Sequence, residues 1–124
     1  MKESLDIAQK RCWISLVDRI ERKVYAVCCE YTTTYPFEIM RILLDHYNEE
    51  QKVRELISFG NIKALDENIL LSDFYHRDHK ERLQIICSPY STTRLSYLCE
   101  EFRFYRGRWE MNWRDGWKPI TELI

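Results

Sequence analysis
Two β-rich runs, Arg11–Val17 and Lys23–Cys29, are joined only by Asp18-Arg19-Ile20-Glu21-Arg22. This arrangement constrains the chain most. Cys12, Ile14 and Leu16 alternate along the first run, and Val24, Ala26 and Cys28 alternate along the second. A period of two places every second side chain on one face of a strand. A polar connection of this length returns the chain antiparallel, so the two runs read as a hairpin. A hairpin is not stable alone in water, so the rest of the chain must supply more strands or a helical layer.

The next segment supplies helices. Glu30–Tyr35 is a Thr-rich break, and Pro36 suits a first helical turn, where its missing N–H costs nothing. Phe37, Met40, Leu43, Leu44 and Tyr47 then recur at helical spacing, which predicts a helix over 36–47. Asn48-Glu49-Glu50-Gln51 reads as a capping box. Val53, Leu56 and Ile57 form the stripe of a second helix, with Gly60 as a left-handed stop. In the less regular stretch 61–81, Ile62, Leu65 and Ile69–Leu71 are read as a short helical turn covering part of the core.

Arg82–Cys87 reads as a third strand, Ser88–Ser91 as a turn around Pro89, and Thr92–Glu100 as a short helix with Leu95, Leu98 and Cys99 inward. Glu101–Tyr105 and Arg108–Trp113 bracket Arg106-Gly107, a second hairpin. Asp115-Gly116 marks a further turn, and the tail from Trp117 is read as ending in one helical turn after Pro119. The expected fold class is α+β, with a small antiparallel sheet of two hairpins plus a middle strand and the helix pair on one face. No repeat or linker divides the chain, and 124 residues suit one domain spanning 1–124.

Nineteen Lys+Arg against twenty Asp+Glu give a net charge of -1, which disfavours nucleic acid as the main partner. The start of the chain lacks the layout of a signal peptide. No run approaches the roughly 18 apolar residues of a membrane span. The expectation is a cytoplasmic protein without a membrane partner. The five Cys are an odd count, which argues against a disulfide framework; Cys12, Cys28 and Cys87 are read as buried thiols in strand-like runs.

Three stretches carry a resemblance: Cys28-Cys29-Glu30-Tyr31-Thr32-Thr33-Thr34-Tyr35-Pro36, Leu43-Leu44-Asp45-His46-Tyr47 and Lys52-Val53-Arg54-Glu55-Leu56-Ile57-Ser58-Phe59-Gly60-Asn61-Ile62. In this order they resemble a family of small uncharacterised proteins of phages, prophages and plasmids. Members read Tyr-Cys-His-Trp-Asp-Gly-Tyr-Pro, then Leu-Leu-x-x-Tyr, then Lys-Val-x-x-Leu-Ile-x-x-Gly-Asp-Ile. Tyr75-His76-Arg77-Asp78 and the hairpin Glu101–Trp109 are similar to later elements of that family, so the resemblance covers most of 11–113. Here Glu30-Tyr31-Thr32-Thr33-Thr34 stands where the family has His-Trp-Asp-Gly, one residue longer, which alters any chemistry of that motif. The resemblance implies a phage or mobile-element accessory protein. By association, since small single-domain phage proteins often do so, the expected role is to block a host defence system such as CRISPR, restriction or other immunity.

The residues themselves offer three functional classes. The segment from Arg103 to Lys118 interleaves Arg with Tyr105, Trp109, Trp113 and Trp117, a pairing enriched in binding hot spots. One face of this hairpin is read as core. The other is read as a surface for a host protein or complex, or for a second copy in a homodimer. Arg103, Tyr105, Arg108 and Trp113 are its expected contacts, and no catalytic residue or cofactor is assigned. The alternative is a small-ligand or nucleotide-binding site. It would use Tyr31, Thr32, Thr33, Thr34 and Tyr35 at a helix start, with His76, Arg77 and Asp78. The ordinary explanation, Thr residues serving a helix cap and Tyr rings covering core, is favoured over it. A metal-dependent hydrolase is the third reading. His76 and His79 are three apart, but the helical His-Glu-x-x-His motif is absent because Arg77 occupies the Glu position, and a solvated charged loop is preferred.

Overall fold
The computed structural model describes residues 10–32, 35–96, 98–112 and 116–123. Strands β1 (Lys10–Asp18) and β2 (Lys23–Tyr31) form the expected antiparallel hairpin. Asp18 Oδ1 accepts from the N–H groups of Ile20 and Glu21 and shapes the turn. Helices α1 (Phe37–His46) and α2 (Glu50–Ser58) follow, then β3 (Ile62–Ala64), β4 (Asp73–Phe74), α3 (Tyr75–His79), β5 (Ile86–Pro89), β6 (Glu101–Tyr105), β7 (Arg108–Asn112), β8 (Trp117–Pro119) and a 3-10 turn at Ile120–Glu122.

The α+β class holds, but the sheet is larger than expected and mixed. Its order is β4-β3-β2-β1-β6-β7-β8, with β5 also pairing β2. Here β1 pairs β6 in parallel and β2 pairs β3 in parallel. The helix pair serves as the crossover that parallel β2–β3 pairing requires. Among the described residues no helix is long and apolar enough to cross a membrane.

Register explains both buried faces of the central strands. Cys12, Ile14 and Leu16 lie opposite Cys29, Val27 and Tyr25, and Ile14 and Leu16 also lie beside Phe102 and Phe104. With Met111 and Trp109 across from Phe102 and Phe104, these residues build the face that the helices cover. Ile39, Met40, Leu43, Val53, Leu56 and Ile57 fill it from the helical side. The Trp109 indole N–H donates to Tyr47 O, which satisfies its polar end within the core. Val24 and Ala26 point to the opposite face yet are equally buried.

Several expectations are corrected. The N-cap of α2 is Glu49, without a side-chain cap bond, so Asn48 lies one residue outside the position a capping box needs. Ile62–Ala64 is a strand rather than part of a helical turn, and Leu70 and Leu71 are exposed. The third strand begins only at Ile86 and ends at Pro89, so Pro89 belongs to a strand and not to a turn. Thr92–Glu100 contains no helix among its described residues, and Leu98 is 96% exposed. Cys12 is buried, but Cys28 is half-buried and Cys87 is exposed on β5.

Gly60 ends α2 as expected, with φ +83. A Cβ there would stand 2.8 Å from Leu83 Cδ1 and 3.4 Å from the Gln84 carbonyl. Gly107, in the β6–β7 turn, also has positive φ (+80), but a Cβ there would meet nothing within 4 Å. Left-handed backbone costs an L-residue about 1–2 kcal/mol. Gly107→Ala is expected to lose about that much in urea denaturation. Gly60→Ala should lose slightly more, because the Leu83 side chain must also turn aside; equal losses would mean that the close approach is not felt.

Candidate functional site: the second face of the sheet and its basic rim
The face of the sheet turned away from the helices is polar at its centre. Glu101 and Arg103, two apart on β6, point the same way, and Ser15 lies beside Arg103 in the β1–β6 register. All three are buried, Arg103 with 3% exposure. Arg103 Nε donates to Glu101 Oε2 at 2.8 Å, and Ser15 Oγ donates to the same oxygen at 2.6 Å. The guanidinium also donates to Ser91 O at 2.8 Å and lies 4.4 Å over the Trp117 ring. Glu101 Oε1 accepts from the Leu95 N–H at 2.8 Å, and the Trp117 indole N–H donates to Thr92 O.

These bonds explain why 92–100 is not helical. The carbonyls of Ser91 and Thr92 and the N–H of Leu95 are spent on side chains of the sheet, where a helix would have paired them internally. They also correct the sequence reading of Arg103. It is not a surface contact but a pin that holds the strap 90–100 against the sheet. A Glu and an Arg at i and i+2 in a strand between aromatic residues were a readable signal for such a pair.

At the end of the sheet where β1 finishes, this face opens into a rim of cations. The parallel pairing of Leu16 with Phe104 brings the β1–β2 turn and the β6–β7 turn to the same end. Arg19, Arg22, Lys23 and Arg106 are exposed there and form no ion pair among the described residues. Arg108 is exposed and pairs with Glu110 at 3.1 Å. Tyr90 and Tyr105 stack at 5.8 Å between ring centroids, Tyr90 N–H donates to Arg22 O, and the Arg106 guanidinium lies 5.2 Å over Tyr105. Ile20, at the turn tip, is 95% exposed. The turn is held from behind: Asp18 Oδ2 binds Arg54 of α2 at 3.0 Å. Bonds from the Glu21 N–H and from Arg54 hold the Asp18 carboxyl below its ordinary pKa.

Of the four expected contacts, Arg108 is exposed and Tyr105 half-buried beside the rim, Arg103 is buried, and Trp113 lies outside the described residues. Arg19, Arg22, Lys23, Tyr90 and Arg106 belong to the rim but were not singled out from sequence. Their convergence depends on parallel β1–β6 pairing, which no local pattern announces.

The alternative ligand residues are scattered in their roles. Tyr31 O–H donates to Glu100 Oε1 at 2.5 Å, and Thr32 lines a cleft beside α1; Thr33 and Thr34 lie outside the described residues. Tyr35 is exposed and rests 5.5 Å from the Phe37 ring. Arg77 serves the 69–74 loop instead, donating to Ile69 O and lying 4.8 Å over Phe74. Asp78 accepts from the Phe74 N–H, and His76 Nδ1 sits 2.7 Å from Glu81 O. His79 Nε2 lies 2.8 Å from Asp73 Oδ1. Among the described residues no group of three or more His, Cys, Asp or Glu is placed to hold a metal ion.

Comparison of the chain with protein-family models, with curated proteins and with solved structures finds no match.

Two stability measurements test this account. Arg103→Met leaves Glu101 buried without its counter-charge, and such losses run to about 3–5 kcal/mol. Chemical denaturation should show that drop, and Glu101→Met/Arg103→Met should recover part of it; a double variant as unstable as the sum of the single ones would refute the pin. The second concerns Glu100, whose burial, opposed in part by the Tyr31 bond, raises its pKa above the ordinary 4.5. The folded form thus holds that proton more tightly than the unfolded form. Wild type should lose stability relative to Glu100→Gln as pH rises from the ordinary value through the raised one. Parallel pH profiles would contradict this.

Proposed function
We propose that this chain is a non-enzymatic binding protein that acts by occupying a surface of a partner protein or complex through the basic rim. The observation that carries the reading is the exposure of Arg19, Arg22, Lys23 and Arg106, without ion-pair partners among the described residues, around the stacked Tyr90 and Tyr105. Arg and Tyr in one patch are the composition of binding hot spots. The fully exposed Ile20 at the turn tip adds an apolar knob, which fits a pocket on a protein better than a phosphate backbone. The net charge of -1 and the nearby Glu21 and Glu110 also favour a protein surface of acidic character over nucleic acid.

The rim is preorganised. The Asp18 bonds to the turn and to Arg54 hold Ile20 and Arg19 in place before any encounter, which lowers the ordering cost of binding. The resemblance of Cys28–Pro36, Leu43–Tyr47 and Lys52–Ile62 to a phage and plasmid family supports a mobile-element accessory role. Inhibition of a host defence system by steric occlusion is the form of that role we favour.

The test starts with a partner captured from bacterial lysate and identified by mass spectrometry. Its affinity is then measured by titration calorimetry against Ile20→Asp, Tyr105→Ala and Arg106→Glu, with near-UV circular dichroism confirming the fold. Each variant is expected to weaken binding by about tenfold or more, equivalent to about 1.4 kcal/mol. Unchanged affinity in all three would remove the rim from the function.

A further inference from the structure
Strand β5 joins the sheet along one side only. It pairs antiparallel with β2, Ala26 with Ile86 and Val24 with Ser88, and no described strand lies on its other side. The direction of its peptide groups follows from bonds made elsewhere. Trp13 and Cys28 are opposed in the β1–β2 register, yet Trp13 N–H donates to Glu100 O and Cys28 N–H to Asn61 Oδ1. This pair therefore turns its peptide groups away from one another. In an antiparallel ladder such pairs alternate with bonded ones, so Val24 and Ala26 also turn theirs away from β1, toward Ser88 and Ile86. Tyr90 N–H, donating to Arg22 O, keeps the same alternation. The N–H and C=O groups of Ile85 and Cys87 are thus aimed out of the sheet. In the stretch before β5, residues 82–85 make no backbone–backbone hydrogen bond with any described residue.

The side chains along this edge are apolar as well as exposed. Leu83, Ile85 and Ile86 are exposed large aliphatics, and Cys87 is exposed beside them. A free edge is ordinarily blunted by charge, by Pro or by a bulge, because its open peptide groups recruit other strands. Here the charges stop at Arg82 and Pro89 closes the far end, so positions 83–88 carry no charge at all. Pro89 stands where its missing N–H faces outward, as an edge strand requires. The other free edges among the described strands offer less. Strand β4 has two residues and runs directly into α3, and β8 has three and ends at Pro119.

We infer that β5 pairs with β5 of a second copy of this chain, antiparallel, about a two-fold axis at Ile85. Residues of odd number aim their peptide groups outward, so odd must face odd across the axis. An axis at Ile85 sets Ile85 opposite itself and Leu83 opposite Cys87 of the other copy, twice. At a period of two these residues share one face, so the pairs form an unbroken apolar stripe across the contact. An axis at Ile86 would put Pro89, which has no N–H to give, opposite Leu83 within the bonded set. An axis at Gln84 would set the Glu81 carboxylate against Cys87. The strand is thus complementary to itself in one register, which is what a two-fold contact demands. One strand from each copy buries less than the roughly 800 Å² per partner of a tight complex, so the dimer is weak and depends on concentration. This edge is separate from the basic rim and does not depend on that reading.

The experiment is sedimentation equilibrium of the full chain from micromolar to submillimolar concentration, with near-UV circular dichroism as the check on folding. Wild type should fit a monomer–dimer equilibrium. Ile85→Lys sets like charges against each other on the axis, and Ile85→Pro deletes an N–H that β2 does not use. Each should raise the dimer Kd by about tenfold or more. Arg106→Glu, on the rim, should leave it unchanged. The register is read with a short bismaleimide: Ile85→Cys/Cys87→Ser should be captured as a covalent dimer, and Cys87→Ser alone should not. This capture needs only a smaller side chain at an exposed position, so it decides the matter even where Ile85→Pro disturbs the fold. The proposal is overturned if the chain is monomeric at every concentration, or if the dimer survives Ile85→Lys. It is equally overturned if Arg106→Glu breaks the dimer instead, or if Ile85→Cys/Cys87→Ser is not captured.

Discussion
The ion pair between Glu101 and Arg103 organises the side of the molecule that the helices do not cover. A sheet buried on both faces needs two covers, and the helix pair supplies only one. The second cover is an irregular strap, which has little apolar surface of its own to hold it down. The buried pair solves this by binding backbone groups. Arg103 takes the Ser91 carbonyl, Glu101 takes the Leu95 N–H, and Ser15 ties the pair to β1. A buried charge pair is weak evidence for added stability, since desolvation offsets the attraction. Its consequence here is geometric: it fixes the backbone at Ser91 and Leu95 against the sheet.

That geometry sets the candidate surface. Parallel pairing of β6 with β1 carries the β6–β7 turn to the end where the β1–β2 turn lies, so cations from separate stretches meet around the Tyr90–Tyr105 stack. A chain with net charge of -1 thus gathers exposed cations at one end of β2. Averaged composition conceals this patch.

Local structure was largely legible in sequence. The β1–β2 hairpin, both helices, the Gly60 stop and the Arg106-Gly107 turn follow from periodicity and from residues able to take positive φ, and all are present. Two of the errors arise from contacts distant in sequence. Thr92–Glu100 looks helical by spacing, but its backbone groups are claimed by side chains distant in sequence. Arg103 looks exposed by alternation, but alternation says only which face a residue is on, not whether that face is covered. At the candidate rim, Tyr105 and Arg108 stand out in sequence because aromatic and Arg residues cluster in the chain itself. Arg19, Arg22 and Lys23 were not, since in sequence they are merely the polar residues of a turn.

By itself the sequence determined the hairpin, the helix pair and the α+β class, because these rest on spacing within a dozen residues. Tertiary structure alone decided that the sheet is mixed and eight-stranded, that both of its faces are dry at the centre, and which cations share one rim. The physical reason is that parallel pairing and buried side-chain-to-backbone bonds join residues more than eighty apart, as Ser15 and Glu101 are at 86 positions. No local pattern encodes a contact at that separation.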